Sequence, residues 1–160
     1  MKVIIVTGTP GTGKTIVAKK ISKMKDYAYV DANQIIKKYK LSEGYDRKRK
    51  TKIIDTKKLN SALLKEIDTY KKSNIKGLVI DSHLSHYLPK KYADMCIVTK
   101  CALKELQKRL RKRVYAKQKV RENLDSEIFD ICLNEAREMG HKVMVIDTTK
   151  GINSVSFSHV

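Results

Sequence analysis

Eight residues near the start of the chain carry its densest chemistry. Gly8-Thr9-Pro10-Gly11-Thr12-Gly13-Lys14-Thr15 follows the spacing Gly, four residues, Gly-Lys, Thr. Glycines let successive backbone N–H groups turn toward one point, where they can hold phosphate oxygens. A helix starting directly after the loop adds the partial positive charge of its N-terminus. The octet therefore implies a polyphosphate held by Gly11, Thr12, Gly13, Lys14 and Thr15, with the Lys14 ammonium reaching the β- and γ-phosphates and the Thr15 hydroxyl on Mg²⁺. The ligand these groups imply is a nucleotide, with Mg²⁺ as its ion.

A phosphate loop needs an acid to help hold Mg²⁺, usually at the end of a nearby apolar strand. Asp81 ends Gly77-Leu78-Val79-Ile80 and fits that role, which makes Thr15 and Asp81 the metal candidates. Asp147 ends a second apolar run and is the fallback. His83 follows two residues after Asp81, where an imidazole could touch the γ-phosphate, the attacking water or an acceptor; a lone histidine is more often a structural hydrogen-bonder, and that reading prevails for His86. Arg109 and Arg113 lie four apart, on one face of a helix, with Arg111 off that face and Arg121 beyond it. Arginines on a hinged lid can neutralise a departing phosphoryl group and exclude water. The same run also reads as a solvated basic face, and spacing alone does not separate the two.

These groups need elements to position them. Strands are expected at about 2–7, 27–30, 77–81, 93–99 and 143–147, where β-branched and apolar residues cluster. Helices are expected at about 13–24, 31–39, from the Asp55 cap onward, 102–114 and 126–139. Residues 40–54, with Arg47-Lys48-Arg49-Lys50, read as a mobile loop. The alternation implies one α/β domain over 1–160, with a five-stranded, mostly parallel sheet between helices and ligands at the strands' carboxyl ends.

Composition narrows the setting. The chain has 35 Lys and Arg against 17 Asp and Glu, a formal charge of +18. Such a field attracts polyanions, so RNA or a ribonucleoprotein is one reading of the surface and a compositional lysine habit the other. No apolar run is long enough to span a membrane. Met1-Lys2 leads straight into the first strand without a signal peptide. Cys96, Cys101 and Cys132 form no Cys-x-x-Cys pair and read as reduced thiols of an intracellular, cytoplasmic protein rather than metal ligands.

Several motifs together resemble one family, the small nuclear adenylate kinases of eukaryotes and their archaeal counterparts, of the coilin-interacting nuclear ATPase type. The phosphate loop at 8–15, Gly44-Tyr45-Asp46, Asp81-Ser82-His83, Arg109-Leu-x-x-Arg113-x-Tyr115 and Glu122-Asn123-Leu124-x-x-Glu127-Ile128 carry the resemblance across nearly the whole chain. It implies a nucleoside-monophosphate kinase fold, phosphoryl transfer from ATP to AMP to give two ADP, and a slow ATPase activity. It also implies functional roles for Asp81 and His83, an acceptor region at about 31–70 and a lid at about 109–124. Maturation of the small ribosomal subunit is implied as well, with a platform protein of that subunit as partner and rRNA within reach of the basic surface. Two readings of other kinds stand beside it: an assembly factor switched by ATP, and a small-metabolite kinase. The chain departs from the family pattern at one point. The helix after the second strand carries Lys37 where the family usually has an arginine facing the AMP phosphate, and an ammonium does not reproduce a bidentate fork.

Overall fold

A computed structural model describes residues 1–47, 51–155, 157 and 160. Strand β1 (Lys2–Thr7) is Lys-Val-Ile-Ile-Val-Thr, buried from Val3 onward. A strand with four successive apolar residues must be covered on both faces, and β1 is the middle strand of five. The order is β2 (Ala28–Asp31), β5 (Gly77–Asp81), β1, β6 (Met95–Lys100), β7 (Val143–Asp147), and every pairing is parallel.

Alternation along β1 divides the core in two. Val3 and Ile5 point to one face and pack with Leu59, Leu63 and Ile67 of α3 (Thr56–Lys72) and Leu133 of α6 (Ile131–Glu138). Ile4 and Val6 point to the other, against Val17 and Ile21 of α1 (Lys14–Lys25) and the buried Phe157 and Val160. A small third cluster of Cys101, Leu106, Leu110 and Val120 joins α4 (Leu103–Lys112) to α5 (Lys117–Ile128).

Local chemistry sets the helix ends. Asp55 Oδ1 accepts the amides of Lys57 and Lys58 at 2.7 and 3.3 Å and starts α3; Asp31 Oδ1 accepts that of Asn33 at 2.8 Å and starts α2 (Ala32–Lys38).

Two expectations are corrected. Residues 40–54 contain an antiparallel hairpin, β3 (Ser42–Asp46) and β4 (Thr51–Ile54), separate from the main sheet. Five of its residues are of types that favour turns or solvent, which hid the pairing; Lys48, Arg49 and Lys50 lie outside the described residues. The helix expected at 126–139 is two helices, because Asp130 takes a left-handed φ of 53° and breaks the run; α5 already begins at Lys117, where its polar sequence shows a weak apolar stripe. No helix among the described residues is long and apolar enough to cross a membrane.

Candidate active site

The carboxyl ends of β1, β5 and β2 meet at the phosphate loop. The loop leaves β1 at Thr7 and enters α1 at Gly13, whose φ of 89° turns the chain into the helix. Gly11 has a φ of 96°, and a Cβ there would lie 2.8 Å from Leu106 Cδ1 and 3.0 Å from Leu110 Cδ2. Helix α4 thus rests directly on the loop. The Thr12 side chain faces inward: its Oγ1 donates to the Thr9 carbonyl at 2.7 Å and sits 2.6 Å from Thr99 Oγ1. Thr148 Oγ1 donates to the Thr12 carbonyl at 2.6 Å, which ties the loop to the end of β7.

A cavity of about 370 Å³ opens over the loop, with Lys14, Thr15, Asp81, His83 and Arg113 all in its wall. Thr12 is buried and does not line the cavity. The Lys14 ammonium donates to the Thr9 carbonyl at 3.0 Å. Burial pulls its pKa from 10.5 down to about 8, against the opposing attraction of Asp81. The Asp81 carboxylate is buried, and its Oδ2 accepts a hydrogen bond from the Tyr29 hydroxyl at 3.0 Å. Burial first, then Asp81, pushes the Tyr29 phenol well above its ordinary range, so it stays a donor. Thr15 and Asp81 offer hydroxyl and carboxylate oxygens, a donor set suited to a hard ion such as Mg²⁺ that takes its remaining ligands from phosphate and water.

His83 is exposed and lines the cavity. Desolvation, and then the charge of Lys14, lowers its pKa to about 4, so the imidazole is neutral at pH 7. His86 is a different case. It is buried, with Nδ1 2.7 Å from Thr7 Oγ1 and Nε2 2.9 Å from Glu135 Oε2, and so joins β1 to α6.

The two arginines of α4 part company. Arg113 ends the helix and lines the phosphate cavity. Arg109 is committed elsewhere: Nε donates to Glu105 at 2.9 Å, Nη1 to Thr148 Oγ1 at 3.1 Å and Nη2 to the Thr148 carbonyl at 2.8 Å. With Thr148 and Ile152 it lines an adjoining slot of about 380 Å³, whose wall shares Gly11, Gly13, Ile16 and Arg113 with the phosphate cavity. Val114, next after Arg113, holds a φ of 56° with 91% of its surface exposed, a strained posture for a β-branched residue. Arg121 is paired with Asp125 on the surface, and Asp147 is exposed at the sheet's edge, its Oδ1 accepting the Thr149 amide at 2.7 Å; neither lines the cavity.

A further cavity of about 670 Å³ adjoins the first. Ile36, Ile54 and Leu84 give it apolar surface, Tyr45 an aromatic ring, and Lys37 and Lys52 two cations; among the described residues no carboxylate lines it. Asn33 and His83 belong to both cavities. Asn33, Tyr29, Tyr115, Lys119 and Lys52 were not singled out by spacing. Tyr115 and Lys119 had a signal in their closeness to Arg113, and Lys119 Nζ lies 4.3 Å from the Tyr115 ring centre. Asn33 and Tyr29 reach the site only through the strand order.

A parallel sheet in the order found here, with a phosphate loop after its central strand and an acid ending the next, defines a P-loop kinase fold. The deoxyadenosine kinase of M. mycoides, solved with bound dATP, shares that fold at a TM-score of 0.52 and 17% identity, over 92% of this chain and 91% of its own. Residues 4–130 match the family model described as AAA domain. The "Putative adenylate kinase" of Methanosarcina acetivorans is 39% identical over 144 residues, 89% of this chain and 75% of the relative. The "Adenylate kinase isoenzyme 6 homolog" of Dictyostelium discoideum is 33% identical over 145 residues, 90% and 79% respectively. The chain belongs to this adenylate-kinase-like family of P-loop proteins.

Proposed function

We propose that the protein transfers the γ-phosphoryl group of ATP to AMP, forming two ADP. The observation that carries this reading is the meeting of two cavities at Asn33 and His83, one over the phosphate loop and the other holding lysines and, among the described residues, no carboxylates. A cationic second cavity suits an acceptor that already bears a phosphate, and the names of the relatives point to the same acceptor. The cationic lining disfavours a neutral small metabolite as acceptor.

Residues take roles by position. Amides of Gly11 to Thr15 and the Lys14 ammonium would hold the donor phosphates, and Thr15 and Asp81 would hold Mg²⁺, which would supply neutralisation of phosphate charge. Arg113 faces the charge that develops between the cavities. Arg109, held by Thr148 and Glu105, fixes the wall of the slot for the donor base. Neutral His83 orients the acceptor or a water by hydrogen bonding, and transfer relies on positioning rather than on a general base.

Hydrolysis of ATP follows when water occupies the acceptor cavity. A role in small-subunit ribosome maturation, with a platform protein and rRNA as partners, rests on the family resemblance and on the +18 charge. The test is the initial rate of ADP formation from Mg-ATP with and without AMP. The reading expects a strong AMP-dependent rise with two ADP per ATP consumed. Slow release of ADP and phosphate indifferent to AMP would replace it with an ATP-driven assembly switch.

A further inference from the structure

The β3–β4 hairpin carries an inversion of the pattern expected of a strand lying over an apolar floor. Side chains alternate along β4, so Lys52 and Ile54 share one face and Ile53 takes the other. The shared face is the one toward the acceptor cavity, since Lys52 and Ile54 line it. Tyr45, the direct cross-strand partner of Lys52, lines it too. Lys52, itself exposed, thus stands on the cavity side of the strand, while Ile53 takes the other side with 51% of its surface exposed. Burial of apolar surface would favour the opposite arrangement.

Neighbouring lysines show what an uncommitted charge does here. Lys38 is bound to Glu66 at 2.6 Å and Lys58 to Glu43 at 2.5 Å. Lys37 and Lys52 have no ion pair among the described residues, and both line the cavity. They come from different elements, α2 and the hairpin. An anion lying between them would be held by two point charges, a substitute for the planar fork of one arginine.

We propose that Lys52 is a specificity-determining residue: together with Lys37 it binds the phosphate of the acceptor, a nucleoside monophosphate. This rests on the reading of the large cavity as the acceptor site. The competing explanation is that a lysine on this side merely protects the hairpin from pairing edge to edge with another chain.

Calorimetric titration of the full chain with AMP and with adenosine separates them. The neutral, similarly shaped Lys52→Met variant should bind AMP about tenfold more weakly or worse, the loss of one charged contact to phosphate. Adenosine, lacking the phosphate, should bind Lys52→Met and the parent alike, and Lys52→Arg should retain most AMP affinity. Unchanged AMP binding by Lys52→Met, or equal weakening of AMP and adenosine, would overturn the assignment. A parent protein that binds AMP in a Lys52-dependent way but never converts it to ADP would refute the kinase reading and leave this one standing. A parent that binds no AMP would refute both.

Discussion

Tyr29 and Asp81 lie on adjacent parallel strands, and the phenol donates to the carboxylate across 3.0 Å. The bond occupies Oδ2 and fixes the plane of the carboxylate beside the phosphate loop. A partner of this kind would position the proposed metal-binding acid without touching the ion. Tyr29→Phe should therefore leave the fold intact and raise the Mg²⁺ concentration needed for half-maximal turnover by about tenfold. An unchanged Mg²⁺ requirement would show that Asp81 holds its orientation without help.

Desolvation lowers the Lys14 pKa from 10.5 to about 8 in the folded protein. Bound phosphate favours the charged ammonium, so ATP binding between pH 8 and 10 should take up a proton, and affinity should fall as pH rises through that window. Calorimetry in buffers of differing ionisation enthalpy measures the uptake. The same shift works against stability. The unfolded chain binds more protons than the folded one between about pH 8 and 10.5, so this group's cost is fully present below pH 8 and fades as pH rises. Lys14→Met should abolish ADP formation while melting at least as high as the parent at pH 7.

His83, with its pKa lowered to about 4, is neutral throughout the working range. The rate should show no inflection near pH 6.5 attributable to this imidazole. His83→Ala should lower turnover by about tenfold or more with Mg-ATP binding retained. A variant with the parent's rate would reduce His83 to a wall residue.

Arg109 and Arg113 should fail in different ways. Arg113→Ala removes a cation from the phosphate cavity and should lower kcat by about tenfold to a hundredfold with modest loss of donor affinity. Arg109→Ala leaves the Thr148 carbonyl and Glu105 without their partner, and should cost about 1–3 kcal/mol of stability together with donor affinity. Unfolding curves and steady-state kinetics on the two variants, measured together, resolve the division. Equal effects on kcat with no change in stability would show that both arginines move with the lid.

The loop, Asp81 and His83 were legible because their chemistry is encoded in consecutive or nearly consecutive residues, and the apolar runs of β1 and β5 carry their own periodicity. The sheet was legible for the same reason. What stayed hidden depends on neighbours in space. Arg109 and Arg113 share a spacing and a helix face, yet Thr148, some forty residues away in the chain, captures one of them. The hairpin's Lys52 and Tyr45 look like parts of a basic loop until their cross-strand register is known. Asp130, an acid in a helical stretch, gives no warning that its backbone will turn left-handed.

Gly11 touches two unrelated demands. Its bare Cα admits phosphate from above and the side chains of Leu106 and Leu110 from below. Gly8 is similarly confined, since a Cβ there would come within 2.6 Å of the Thr99 carbonyl. A descendant that had abandoned nucleotides would still be unable to change either glycine cheaply. The two ends of this signature differ as historical records: the glycines preserve the memory of a packing arrangement, whereas Lys14, a half-buried charge whose desolvation works against stability, is the residue drift would erase first if nucleotide binding were abandoned.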